Sequence, residues 1–272
     1  EMCIRDSEMA VSDFRPIAFE LGFGGKDGQL PAITIREKNG TARVVGKVDR
    51  VDGWLHDGKL YLRVVDYKTG KKSFDLAELR YGLGLQMLLY LFTLKEEGQM
   101  LFGGHEIVPA GVLYTPAREP MLRCARDTEP ETIEKALKKE LRRSGMVLED
   151  PAVLQAMEHS ALESPCYLPI AVKRDGAVTG SLASAEQLGK LSKYVDHILH
   201  EITQEVFAGN IDADPYARTP QLSACTYCEF ASACHFENGC GSDRMEYIKA
   251  TKNDEFWQYI DEVNGEGAHE NG

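Results

Sequence analysis

Two runs rich in Val, Leu and Tyr, residues 42–51 (ARVVGKVDRV) and 59–67 (KLYLRVVDY), flank the dipeptide Asp57-Gly58. No other feature of the chain restricts its fold as tightly. Asp-Gly between two β-prone runs specifies a two-residue hairpin turn. A two-residue turn in turn fixes the register of both strands. His56 then faces Lys59, Val51 faces Val64, and Asp49 faces Asp66, with Cβ atoms of opposed residues about 5 Å apart. Side chains alternate along a strand, so Lys68 shares the face of Asp66. The other residues on that face are Val51, Leu55, Leu60, Leu62 and Val64. Two carboxylates and an ammonium therefore close an otherwise apolar face.

Like charges opposed on a sheet are destabilising, and burying them unpaired costs more. A bound divalent cation relieves both costs. Two hard oxygen ligands with open positions suit Mg²⁺ or Mn²⁺ better than Zn²⁺. Lys68 is then placed to orient an attacking water or to stabilise charge developing on a phosphate. The chemistry implied is metal-assisted phosphodiester hydrolysis. The competing reading is a charge cluster on a solvated strand end. The apolar companions and the register weigh against it.

The 272 residues are 43% hydrophobic and 27% charged, with a net charge of −12. That composition excludes a disordered chain, a collagen and a small disulfide scaffold. The acidic balance argues against sequence-blind coating of nucleic acid, but not against a local channel. No apolar run reaches the roughly 18 residues of a membrane helix, and the N-terminus lacks a signal-peptide core. Seven cysteines, an odd number, without a secretion signal point to a reducing cytoplasm. Residues 1–7 read as a stray leader, and no structural role is expected before residue 14.

The remaining pattern is a mixed α/β chain. Residues 76–97 read as one long buried helix, weakened at Gly82 and Gly84. Residues 106–114 form a third strand, with Pro109 marking an edge or an irregularity. Residues 131–143 form a charged surface helix. Its Lys135, Lys138, Lys139, Arg142 and Arg143 read first as a solvated face, and second as a phosphate-tracking edge. Asp150-Pro151 caps and opens a short helix, and Ser184 with Gln187 makes a capping box for residues 185–208. A last helix is expected near residues 244–263, carrying Trp257 and Tyr259 as packing residues, with a disordered tail over 265–272. His197 and His200 read as surface residues.

Cys225, Cys228 and Cys234 follow the pattern C-x2-C-x5-C, with Cys240 after a further five residues. Three clustered thiolates suit zinc or an iron–sulfur cluster, and Cys240 would complete a four-cysteine zinc set. Inert buried thiols are the bland alternative.

Three stretches carry a resemblance. Gly46-Lys47-Val48-Asp49-Arg50-Val51-Asp52, Val65-Asp66-Tyr67-Lys68-Thr69-Gly70 and Gln86-Met87-Leu88-Leu89-Tyr90 resemble successive motifs of the RecB-like branch of the PD-(D/E)xK nucleases. That resemblance implies a restriction-endonuclease-like core, a mixed sheet flanked by helices, with a helical, cysteine-bearing C-terminal part. It implies metal ligation by Asp49, Asp66 and the Tyr67 carbonyl, catalysis by Lys68, and Gln86 and Tyr90 reaching the site or DNA from one helix face. Such nucleases carry a metal-binding His upstream of the first strand, and residues 1–41 contain none. Glu20 stands where relatives carry an acidic residue. The core followed by C-x2-C-x5-C resembles the iron–sulfur nucleases, which implies a 4Fe-4S cluster on Cys225, Cys228 and Cys234. Its fourth cysteine would lie upstream, where only Cys3 is found.

Residues 109–114 and 143–150 further resemble the AddB-type subunits of bacterial helicase–nucleases that process double-strand breaks. This implies a nuclease domain over residues 14–236, a C-terminal helix and tail over 237–272, a DNA substrate cut exonucleolytically, and an AddA-type subunit as partner. A short CRISPR-associated exonuclease and a catalytically silent iron–sulfur scaffold are the alternatives.

Overall fold

The structure is a computed structural model. It describes residues 8–26, 28–70, 72–118 and 120–270, the last five for their backbone only. In chain order the strands are β1 (Arg15–Phe23), β2 (Ile33–Glu37), β3 (Gly40–Val44), β4 (Gly46–His56), β5 (Lys59–Lys68), β6 (Glu106–Pro116), β7 (Ser144–Leu148), β8 (Ile170–Val172), β9 (Val178–Gly180), β10 (Leu182–Ala183), β11 (Tyr216–Thr219), β12 (Leu222–Ser223) and β13 (Glu246–Tyr247). The helices are α1 (Leu76–Arg80), α2 (Gln86–Glu97), α3 (Pro130–Glu140), α4 (Pro151–Met157), α5 (Ala185–Ala208), α6 (Ala231–Cys234) and α7 (Asn253–Glu270).

Six strands form the main sheet in the order β1-β4-β5-β6-β7-β10. The β5–β6 and β7–β10 pairs are parallel and the others antiparallel. Asp57 and Gly58 both adopt positive φ, 48° and 78°, as the expected primed turn requires. The expected register holds from His56↔Lys59 to Arg50↔Val65. Val51, Leu62 and Val64 are fully buried, each contributing about 1.5–3 kcal/mol. Helix α2 packs across β5 and β6 with Met87, Leu88, Leu91 and Leu94 buried.

The chain divides into two compact units. The first holds the main sheet and α2–α4. In the second, the Tyr194 hydroxyl donates to the carbonyls of Leu79 and Arg80. Arg80 also lies over the Tyr259 ring, and Arg218 pairs with Asp75 and Glu78.

Several expectations change. The helix expected over 76–97 is broken, because Gly82 and Gly84 each adopt φ +70° and the chain turns between α1 and α2. β6 is central, not an edge, and the irregularity at Pro109 appears as a register shift opposite Leu62/Arg63. The Asp150 cap and the Ser184–Gln187 capping box form as expected. The last helix begins at Asn253 and continues to Glu270, through most of the tail expected to be disordered. Trp257 is buried, as expected of a packing residue.

The largest departure lies behind the sheet. Arg50, Asp52 and Arg63 point to the face opposite Asp49 and are buried there with Glu8 and Arg143. Asp52 receives Arg50 Nε at 2.7 Å and Arg63 Nε at 2.9 Å. Glu8 receives Arg63 at 2.6 Å and Arg143 at 2.7 Å. Residues 8–13 are therefore structural. Ser12 and Asp13 also bond to the Ala156 carbonyl, and His159 N to that of Val11. Arg143 is likewise no surface residue. Burial works against the charge of Glu8 and of Asp52, yet the guanidinium groups win and hold both carboxyls below the usual range. Residues 1–7, with Cys3, lie outside the described residues.

Removing one member of a buried ion cluster leaves its partners uncompensated. Glu8→Ala is expected to cost about 3–5 kcal/mol in urea unfolding. A carboxyl lowered in the fold stabilises above its unfolded pKa and loses that contribution as pH falls through the folded value. Glu8 and Asp52 should accordingly keep the protein folded to below about pH 4, the ordinary carboxylate range. A pH titration followed by circular dichroism checks this, with Glu8→Gln unfolding at higher pH.

Candidate active site

β4 and β5 deliver the acidic pair at the end of their ladder. Asp66 is buried and Asp49 half-buried. Asp49 Oδ2 accepts from the Tyr67 amide at 3.2 Å, which draws Asp49 against the Asp66 end of β5. Burial, and next the charge and hydrogen bonding of Asp49, push the Asp66 carboxyl up, against the opposing pull of Lys68. Lys68 Nζ lies 2.6 Å from Asp66 Oδ2 and offsets one of the two negative charges. A buried carboxylate beside a second carboxylate, with a single ammonium against the pair, fits a hard divalent cation. Asp49 and Asp66 would hold it.

Tyr67 joins the two faces of the sheet. Its amide holds Asp49, and its hydroxyl accepts from Arg50 Nη1 at 2.6 Å. Arg50 is itself fixed by Asp52 through Nε and Nη2, both at 2.7 Å. The strand end that carries the acidic pair is therefore braced from behind by buried charge. Sequence reasoning passed over Arg50, Asp52 and Arg63. The signal was available, because the same hairpin register places Asp52 directly opposite Arg63.

Gly46 opens β4 where Phe23 and Tyr90 meet. A Cβ there would sit 2.5 Å from the Phe23 ring and 3.1 Å from Tyr90, so only glycine admits this packing. Phe23 and Tyr90 stack edge to face at 5.3 Å. Gln86 is exposed and donates to the Tyr90 hydroxyl at 2.8 Å. The expected one-turn relation of Gln86 and Tyr90 is present, with the amide directed onto Tyr90. Glu20 lies opposite Asp49 on β1, at φ +50°, and pairs with Lys47.

The cysteine segment lies in the second unit. Cys228, Cys234 and Cys240 are exposed and Cys225 is half-buried, all as free thiols. Among the described residues, no group of three or more His, Cys, Asp or Glu side chains is gathered to hold a metal ion. The expected convergence of Cys225, Cys228 and Cys234 is thus not formed in this arrangement. His200 is 2.5 Å from Glu37, and His197 is 3.3 Å from Glu201. No helix among the described residues is long and apolar enough to cross a membrane.

Two carboxylates and a lysine at the open end of an antiparallel hairpin, in a mixed sheet, form an arrangement suited to metal-assisted phosphodiester hydrolysis. The family model of the PD-(D/E)XK nuclease superfamily matches residues 2–235. The chain belongs to that superfamily. It is 31% identical over 254 residues to the B subunit of the ATP-dependent helicase/deoxyribonuclease of Ruminiclostridium cellulolyticum, covering 93% of this chain. The proteins of the same name from Acetivibrio thermocellus and Bacillus thuringiensis are 34% and 36% identical, over 92% and 94% of this chain. The chain spans 22% of the length of each of these relatives.

The raised pKa of Asp66 means that ionising it costs the metal-free fold stability as pH climbs from the ordinary carboxylate range through the folded value. At neutral pH and without metal, Asp66→Asn is expected to be as stable as the unsubstituted protein, or more stable by up to about 1 kcal/mol. Mg²⁺ should raise the melting temperature of the unsubstituted protein and leave that of Asp66→Asn unmoved. Differential scanning calorimetry with and without Mg²⁺ checks both.

Proposed function

We propose that this chain is the nuclease portion of a longer helicase–nuclease subunit and hydrolyses DNA phosphodiester bonds from an end. The observation that carries this reading is the gathering of buried Asp66, Asp49 and Lys68 at the end of the β4–β5 ladder, with Lys68 Nζ 2.6 Å from Asp66 and the Tyr67 amide on Asp49. Asp49 and Asp66, with the Tyr67 carbonyl, would hold Mg²⁺ or Mn²⁺. When bound, such a cation supplies charge to the phosphate and lowers the pKa of a coordinated water. Lys68 places its ammonium beside the acidic pair, where it can orient the water and oppose charge on the phosphate. Tyr67 and the Arg50 brace keep Asp49 in place during turnover. Gln86 and Tyr90 act as a positioning pair.

The relatives' name, that of one subunit of a helicase and deoxyribonuclease, supports DNA as substrate and an AddA-type subunit as partner. Among the described residues six cysteines are free thiols, which suits action in a reducing cytoplasm. The C-x2-C-x5-C segment is read as an iron–sulfur site on Cys225, Cys228 and Cys234. Free cysteines that serve packing are usually buried, and three of the four in this segment are exposed, which supports a ligand role.

In the full-length subunit assembled with its partner, Asp66→Ala is expected to abolish cleavage of a linear duplex in Mg²⁺. Lys68→Ala should lower kcat by roughly 10²–10³-fold, and Gln86→Ala should cost less than either. Undiminished cleavage by Asp66→Ala would move the nuclease site elsewhere and leave this domain a scaffold. Anaerobically purified protein should contain iron that is lost in Cys228→Ser. Stoichiometric zinc without iron would instead assign Cys225, Cys228, Cys234 and Cys240 to zinc.

A further inference from the structure

Beyond Lys68 the first unit opens into a cleft of about 370 Å³. Its walls are the carboxyl ends of the parallel strands β5 and β6, the start of β7, and the last turn of α3. Ligands bind preferentially at such carboxyl ends. Among the described residues five cationic side chains line it, Lys68, Lys72, Arg118, Lys139 and Arg142, against one carboxylate, Glu140. In a chain of net charge −12, that concentration of positive charge is local and is not explained by composition.

The arginines are held in place. Arg142 Nε donates to the Leu168 carbonyl at 2.7 Å, which fixes the plane of its guanidinium. Arg118 Nη2 bonds to Glu140 at 2.8 Å, while its Nε is buried with no hydrogen-bond partner among the described residues. A buried guanidinium N–H without an acceptor is costly, and an anionic oxygen in the cleft would satisfy it. Tyr114, the aromatic residue of the lining, is buried and lies under Lys68 at 6.0 Å. The cleft thus offers charge to a backbone but no exposed ring on which a base could stack, unlike a stacking platform.

We propose that this cleft binds the phosphodiester backbone of a single nucleic-acid strand, holding the phosphate next to the one at Asp49 and Asp66. Arg118, Lys139 and Arg142 supply the contacts, and Lys68 stands at the junction of cleft and site. The proposal rests on the nuclease reading of that site. It absorbs the basic stretch after residue 134 in part: Lys139 and Arg142 line the cleft, whereas Lys135 is exposed on α3 outside it and Arg143 is buried behind the sheet.

The test uses the full-length subunit with its partner, and fluorescein-labelled oligothymidylate and oligodeoxyadenylate as probes, in EDTA. Arg118→Ala/Arg142→Ala is expected to weaken binding of both probes about tenfold, equally for the two sequences. The slope of log K against log salt should fall by about 0.7 for each phosphate that is no longer neutralised. In Mg²⁺ the loss should appear in KM rather than kcat. Arg118→Lys/Arg142→Lys, which keeps the charge, should recover most of the affinity, and Lys135→Ala should bind as the unsubstituted protein does. If the alanine pair fails to fold, Lys139→Ala tests the same cleft through one cation alone. Unchanged affinity and salt slope in a protein that still cleaves DNA would overturn the cleft and spare the nuclease reading. Weakened binding in a protein whose unsubstituted form does not cleave would support the cleft and overturn the nuclease reading.

Discussion

Pleat alternation across one antiparallel ladder arranges most of the buried charge in the first unit. The β4–β5 register puts Asp49 and Asp66 on one face, and Arg50, Asp52 and Arg63 on the other. Neither set would be stable as an isolated row. The acidic pair is unfavourable by itself and is offset by Lys68, and the guanidinium groups are tolerable in the interior only because Asp52 and Glu8 divide them. Tyr67 connects the two problems, with its amide on Asp49 and its hydroxyl on Arg50. A strand end that must present two like charges is kept from fraying by opposite charges beneath it.

Local chemistry was legible in the sequence wherever a few neighbouring residues decided the outcome. The Asp57-Gly58 turn, the Asp150 cap and the Ser184–Gln187 box depend on short-range hydrogen bonding and backbone preference, and the structure has all three. Counting from the turn gave the register that the structure holds as far as Arg50↔Val65, the pair next to Asp49 and Asp66. What escaped reading depended on partners far along the chain. β1 and β7 lack a strong strand signature. Arg143 looks like one more cation of a surface helix, and only burial against Glu8 and Thr115 distinguishes it. Two glycines at φ +70° outweighed a run of helix-forming residues between α1 and α2.

The cysteine segment illustrates a different limit. Spacing shows that three thiolates can reach one centre, but it does not gather them. In the second unit the thiols of Cys228 and Cys234 face solvent. The segment is organised by its own hydrogen bonds, the Ser223–Thr226 capping box and the Cys228–Cys225 turn among them.

The tie through Glu8 also orders the folding of the first unit in time. The β4–β5 hairpin closes a loop of two residues and can form early. Glu8 meets Arg50 and Arg63 across 42 and 55 residues, and Arg143 lies farther still. Long-range closures of this kind come late, after local structure exists. Arg50 and Arg63 meet Asp52 within the hairpin, whereas their bonds to Glu8, and that of Arg143, form only when the sheet and the segment before it arrive together. The cluster therefore acts as a latch on the finished core rather than as its nucleus, and its loss should hasten unfolding far more than it slows folding.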